Sequence, residues 1–270
     1  MLFRSETSPK FSVVTHRGCF GRCSFCALSF HQGDRIVSRS EASILDEIRR
    51  LTKHPDFKGY IDDLGGPTAN MYGMDCRSVC RGKECLPCPR LDRSHRRLIQ
   101  LMRKARAVSG VKKVFVRSGI RHDLAMESEE YIRELSEYHV SGLLKIAPEH
   151  VSPRVLRLMN KDGRSLEEFR RLFRRIDRGR GQLLKYYFMV AHPGTTDVDA
   201  RALARTVRRL EEEGEKPVEG VQVFTPTPMT RSTCMYHTGK DPVTGENVHV
   251  PLTYAEKKAQ KRMLQPAPKL

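Results

Sequence analysis

The chain has 270 residues, 39% of them apolar and 30% charged, with a formal net charge of +17 and eight cysteines. That length supports one large domain with a real core or two small ones, and no run approaches the roughly 18 apolar residues of a membrane span. The opening MLFRSETSPK lacks the apolar centre of a signal peptide, so the expected location is the cytoplasm, where cysteines read as metal ligands or reactive thiols rather than disulfides.

Apolar periodicity gives the elements in order. FSVV at 11–14 reads as a first strand. Residues 41–53 carry Ile44, Leu45, Ile48 and Leu51, the stripe of an amphipathic helix. GYIDDL at 59–64 reads as a second strand, and 95–107 as a helix with Leu98, Leu101, Met102 and Ala105 on one side. KKVFV at 112–116 is a third strand, 128–139 a helix, and GLLKIA at 142–147 a fourth strand. Ser152 followed by Pro153 is a helix start. Ser165 and Glu168 form a capping-box pattern ahead of Phe169, Phe173 and Ile176. LLKYYFMV at 183–190 is a fifth strand, 197–213 a helix, and VEGVQVF at 218–224 a sixth strand.

Apolar runs alternating with amphipathic helices imply βα units around a parallel sheet. Six such units make either an open doubly wound sheet or a partial barrel. In both, ligands gather beyond the carboxyl ends of the strands. Polar groups, Gly and Pro concentrate there: a cysteine triad after the first strand, then GGPTAN, RSGIRHD, PEH, AHPGT and TPTP. From about 231 the chain reads as a basic, loop-rich tail whose last twenty residues are expected to be poorly ordered.

The triad is HRGCFGRCSFC, with Cys19, Cys23 and Cys26 spaced C-x3-C-x2-C. Structural zinc is closed by four ligands, and a disulfide uses two. Three thiolates suit a centre that keeps one coordination position open, the usual mark of a catalytic metal site. Gly18 and Gly21 permit turns that a side chain would block.

C-x3-C-x2-C at the end of a first strand resembles the signature of the radical S-adenosylmethionine (SAM) superfamily. The stretches RGCFGRCSFC, RSEASILDEI, DLGGPTANMYG, KIAPEH, AHPGTTD and MYHTGK closely resemble the uncharacterised YgiQ-type proteins of that superfamily, in order from about residue 10 to 250. The resemblance implies an α/β fold, a partial (β/α)6 TIM-like barrel of radical SAM type over 8–230, with a cysteine-rich insertion at 65–93 and a C-terminal tail over 231–270. It implies a 4Fe–4S cluster on Cys19, Cys23 and Cys26, with SAM at the free iron. Reductive cleavage of SAM then gives a 5′-deoxyadenosyl radical that abstracts hydrogen from a substrate. It also implies an electron donor such as flavodoxin or ferredoxin. Phe25 stands where the superfamily packs an aromatic near adenine. Gly65 and Gly66 stand where a GGE-like motif meets the SAM amino group, with Pro67 in place of the acidic residue. Lys145 is a candidate for the SAM carboxylate and Glu149 for a ribose or amino contact. Arg121 and His192 are rim candidates. YgiQ-type proteins are typically longer, so a truncated core lacking substrate turnover is one reading of this chain.

A second group, Cys76, Cys80, Cys85 and Cys88, is spaced C-x3-C-x4-C-x2-C in a loop of about thirty residues. Four thiolates would saturate zinc or one auxiliary iron–sulfur cluster. Cys234 is isolated and reads as an ordinary thiol. The charge offers a competing function, a zinc-binding nucleic-acid module, and it admits RNA as a partner. Between 170 and 180, Arg170, Arg171, Arg174, Arg175, Arg178 and Arg180 face only Asp177, either as a solvated face or as a polyanion surface. Against the module stand the third cysteine without a fourth and the absence of tryptophan for base stacking.

Overall fold

A computed structural model describes residues 10–76, 80, 85–161, 166–215 and 221–264. The first strand is β1 (Ser12–Val14), followed by β2 (His16–Arg17), α1 (Leu28–Gln32), β3 (Val37–Ser38) and α2 (Glu41–Leu51). The second strand is two short pieces, β4 (Tyr60–Ile61) and β5 (Asp63–Gly65). Then come α3 (Arg96–Arg106), β6 (Lys113–Val114), α4 (His122–Ala125) and α5 (Glu129–Glu134), which continues as a π turn over Leu135–His139. The second half holds β7 (Leu143–Glu149), α6 (Pro153–Leu158), α7 (Leu166–Ile176), β8 (Leu183–Val190), α8 (Asp197–Glu212) and β9 (Val221–Val223). The chain continues with α9 (Arg231–Thr238) and α10 (Tyr254–Met263).

The strands settle which architecture forms. Parallel pairs join Val13 to Leu64, Ile61 to Val114, Leu144 to Leu184 and Met189 to Gln222. The Leu64 N–H donates to the Phe115 carbonyl at 2.9 Å, and a parallel bridge links Ile120 to Ile146. The wall therefore runs in chain order without reversal. A doubly wound sheet reverses its order at a switch point; a barrel does not. Among the described residues β9 does not pair with β1, so the barrel is partial. The pair β2–β3 is antiparallel and stands apart from the wall.

The core lies between wall and helices. Leu144 and Ile146 of β7 and Leu184, Tyr186 and Phe188 of β8 pack with Ile44 and Ile48 of α2, Leu101 and Met102 of α3, Phe169 and Phe173 of α7 and Leu203 of α8. Strand side chains alternate between faces. Lys145, Lys185 and Tyr187 therefore take the inner face, and all three are half-buried.

Several local expectations change. Ser152 does precede α6, but its hydroxyl makes no cap; it donates to Asp199 Oδ1 at 2.7 Å. Asp199 is the stronger attractor because it also completes the Thr196 capping box of α8. Ser165, and residues 218–220 of the sixth strand, lie outside the described residues, as do 265–270 of the tail. The loop-rich reading of the tail is corrected: it carries α9 and α10, started by Thr230 and by a Thr253–Glu256 capping box. Few of their residues are buried, Ser232, Met235 and Gln260 alone, so apolar periodicity was too thin to show them.

The arginine run is also redrawn. Arg170 is fully buried, donating to Tyr186 Oη (3.0 Å), Glu167 (2.9 Å), Glu213 (2.5 Å) and Glu215 (3.4 Å). Arg174 pairs with Glu213 and Glu215, Arg175 with Glu129 and Arg180 with Glu137. Most of the run is engaged with acids rather than held free as a stripe.

Candidate metal centre

The triad sits in a loop strapped from several sides. At its root Thr15 donates both its N–H (2.8 Å) and its hydroxyl (3.1 Å) to the Gly65 carbonyl. Gly18 has φ +87°, and a Cβ there would overlap the Arg35 carbonyl, so only glycine fits. The Cys19 N–H donates to the Gly33 carbonyl at 3.0 Å. At Gly21 a Cβ would stand 2.5 Å from Arg121 Nη1 and 3.4 Å from the Cys19 sulfur. The far end is held from α6: Ser24 N–H donates to the Met159 carbonyl (2.8 Å), and Asn160 Nδ2 to the Arg22 carbonyl (2.8 Å). The Cys26 N–H closes a turn on the Cys23 carbonyl at 3.1 Å.

Charge gathers around the sulfurs. Cys19 Sγ lies 3.7 Å from Thr68 Oγ1, and Arg121 Nη1 lies 3.8 Å from Cys23 Sγ. Burial pushes the Cys23 thiol up; Lys161 and Arg121 oppose this, while Cys19 and Glu149 add repulsion. Burial also raises Cys26, the Leu28 N–H opposes it, and Cys23, Cys19 and Glu149 repel it further. The neighbouring sulfurs thus add to the resistance of Cys23 and Cys26 to ionisation, and a cation among them would relieve it. Soft thiolates with guanidinium and ammonium partners fit an iron–sulfur cluster.

Arg121 is fixed on both sides. It is buried and pairs with Asp123 at 2.5 Å. Its backbone is gripped by Asn70, which accepts from the Arg121 N–H (2.9 Å) and donates to the Arg121 carbonyl (3.0 Å). Arg121 was legible as a rim residue. Asn70, Thr68 and Lys161 were not singled out, although the first two lie in the polar GGPTAN loop.

The other candidates fall around the same rim. Phe25 packs against Val155, Leu156, Met159, Met189 and Phe224, with its ring edge-on to His192 at 6.3 Å. His192 is held between the Pro193 carbonyl (2.7 Å) and Ser232 Oγ (2.6 Å). Burial lowers it to about 4, so it is a neutral structural ring. Gly65 has its carbonyl taken by Thr15, while Gly66 lies flat against the His16 ring. Glu149 is buried at φ +67° and pairs with Lys161 at 3.4 Å. Burial raises its pKa, against the pull of Lys161 and Arg121. Lys145 has no side-chain partner among the described residues; its carbonyl accepts from the Ile120 N–H at 3.1 Å.

The second cysteine group is half-buried, and Cys234 is exposed. Among the described residues no three His, Cys, Asp or Glu side chains converge on a single metal ion, at either cysteine group or elsewhere. No helix among them is long and apolar enough to cross a membrane.

Comparison with known proteins gives a family match. A family model described as the radical SAM superfamily matches residues 13–207, and a domain of unknown function, DUF3362, matches 219–267. UPF0313 proteins are similar along nearly the whole chain. That of Methanosarcina acetivorans is 50% identical over 94% of this chain and 35% of its own length. The Methanocaldococcus jannaschii protein is 50% identical over 93% and 43%, and that of Clostridium perfringens 46% over 95% and 40%. The chain thus spans about two-fifths of the length of these curated relatives. Among solved structures, the radical SAM methyltransferase TsrM of Kitasatospora setae, with cobalamin and a 4Fe–4S cluster bound, superposes with a TM-score of 0.57 at 17% identity, covering 94% of this chain and 52% of that one. A second structure of TsrM, with tryptophan and a SAM analogue, gives 0.53 at 19% identity, covering 74% of this chain and 34% of that one. Sequence signature, barrel order and family match agree: the chain belongs to the radical SAM superfamily.

Proposed function

We propose that this chain is the catalytic core of an enzyme that cleaves SAM reductively and passes the radical to a substrate. The observation that carries the reading is the gathering of Cys19, Cys23 and Cys26 with Arg121 and the Glu149–Lys161 pair on one rim of the barrel. Cys19, Cys23 and Cys26 would hold a 4Fe–4S cluster. When bound, that cluster supplies the single electron that splits SAM into methionine and a 5′-deoxyadenosyl radical, which takes a hydrogen atom from the substrate.

The chain's own residues bind and orient. Arg121 offsets thiolate charge at Cys23 while Asp123 fixes its guanidinium. The half-buried Lys145 on the inner wall, unpaired among the described residues, offers an ammonium for the methionine carboxylate. Gly66 keeps its carbonyl for the amino group, since that of Gly65 is spent on Thr15. Phe25 supplies an apolar edge for adenine, and Glu149 a carboxylate for ribose hydroxyls. The proposal includes a flavodoxin- or ferredoxin-class electron donor, a cytoplasmic setting, and RNA as the polyanion that a net charge of +17 admits. Family membership sets aside the zinc-binding nucleic-acid module as the function of the triad.

The test is anaerobic reconstitution with iron, sulfide, SAM and dithionite, scored for 5′-deoxyadenosine. The wild-type chain is expected to produce it, and Cys23→Ala to produce none. A reconstituted chain that holds iron and sulfide yet forms no 5′-deoxyadenosine overturns the reading. RNA binding is checked by filter retention against salt, where affinity falls with the number of phosphates contacted.

A further inference from the structure

The second cysteine group shares three features with the first. Both contain a C-x2-C turn closed in the same way. The Cys88 N–H donates to the Cys85 carbonyl at 3.0 Å, as the Cys26 N–H does to the Cys23 carbonyl at 3.1 Å. Such a turn brings its end residues onto one side. Both groups have a guanidinium on sulfur. Arg90 Nη2 donates to Cys80 Sγ at 3.4 Å, as Arg121 Nη1 stands 3.8 Å from Cys23 Sγ. Lastly, the two groups share one apolar pack: Cys19, Phe20, Ile36, Met71, Met74, Leu91 and Leu124 form it, and Cys85, Leu86 and Cys88 lie against it.

The type of centre follows from donor chemistry and from the neighbouring triad. Zinc demands four ligands around one point at about 2.3 Å. A cubane instead takes one thiolate at each of its corners. The triad, whose Cys19 belongs to the same apolar pack, carries the superfamily's cluster signature. Four thiolates would leave no open corner.

We propose that Cys76, Cys80, Cys85 and Cys88 bind a second, fully thiolate-ligated 4Fe–4S cluster packed against the same apolar side chains as the triad, with Arg90 as its positioning residue. The inference rests on the donor set of this loop and stands whether or not the triad cleaves SAM.

The test uses the whole chain, reconstituted anaerobically and assayed for iron, sulfide and zinc, with electron paramagnetic resonance after dithionite reduction. The wild-type chain is expected to hold about eight irons. The triple variant Cys19→Ala/Cys23→Ala/Cys26→Ala is expected to keep about four, with a reduced signal that SAM leaves unchanged. The double variant Cys80→Ala/Cys88→Ala is expected to keep about four with a SAM-sensitive signal. Should the double variant not fold, the triple variant alone decides. A triple variant that holds no iron, or that holds about one zinc and no sulfide, overturns the inference. Loss of SAM sensitivity in the wild-type chain with iron retained in the triple variant would instead count against the proposed function alone. Arg90→Ala is expected to shift the reduced signal in the triple variant; an unchanged signal removes Arg90 from the site.

Discussion

Arg121 Nη1 stands 3.8 Å from the Cys23 sulfur while Nη2 of the same guanidinium holds Asp123 at 2.5 Å. One cation thus serves a buried carboxylate and a candidate ligand together. Removing it strands Asp123, which burial would push up but Arg121 holds down to about 2. Arg121→Met is expected to cost about 3–5 kcal/mol. The double variant Arg121→Met/Asp123→Leu should cost less than the sum of the two single changes. Urea unfolding of all four chains checks this; strict additivity would deny the coupling.

Gly66 faces the His16 ring so closely that a Cβ would enter it. Gly66→Ala is expected to destabilise by about 1–3 kcal/mol. Gly119→Ala is the control, since its Cβ would have its nearest neighbour at 3.9 Å, an ordinary contact. Its effect should stay within about 0.5 kcal/mol. Equal midpoints for the two variants would contradict the packing argument.

Stability should decline in two stages on acidification. Burial lowers His95, His150 and His192 from 6.5 to about 4. The unfolded chain takes these protons first, so stability falls as pH drops from about 6.5 to about 4. Asp123 and Asp199 then matter. Burial alone would raise them, but Arg121 for the first, and Thr196, Ser152 and Arg154 for the second, bring them from 3.8 to about 2. Their contribution is present above 3.8 and is lost as pH falls toward about 2. Urea midpoints from pH 8 to 3 should be flat above 7, then fall. His95→Phe, which keeps the stacking on Tyr131, should reduce the upper slope by at most about 1.4 kcal/mol per pH unit.

Arg170 and Arg171 are sequence neighbours with opposite roles. Arg170 is buried among Tyr186, Glu167, Glu213 and Glu215, whereas Arg171 is exposed. Arg170→Met is expected to cost about 3–5 kcal/mol by leaving Glu215 and the tyrosine hydroxyl without it. Arg171→Met should lie within about 0.5 kcal/mol. Thermal unfolding of the two proteins separates them.

Much of this was legible because apolar spacing reports burial directly. The stripe Ile44, Leu45, Ile48 marks α2, and LLKYYFMV marks β8, with its buried Leu184 and Tyr186 alternating with Lys185 and Tyr187. The triad was legible because three cysteines in eight residues have few other uses. Barrel and doubly wound sheet stayed open in the sequence because both alternate strand and helix; only the unreversed pairing through Ile120 and Ile146 separates them. Lys161 escaped notice because a single lysine after a helix carries no spacing; its meaning comes from the distant Glu149. Asn70 and the burial of Arg170 escaped for the same reason. Their partners lie 51 and up to 45 positions away, and sequence distance hides a hydrogen bond.

α10 is tied back to the loop after β8. Gln260 Oε1 accepts the Ala191 N–H at 2.9 Å, its amide Nε2 donates to the Thr195 carbonyl at 3.3 Å, and Leu264 is buried in the main core. A version of the protein cut just before Tyr254 would strip a side-chain clamp from the loop after β8 and open a leucine-sized hole, so shortened forms for crystallisation should run through Leu264.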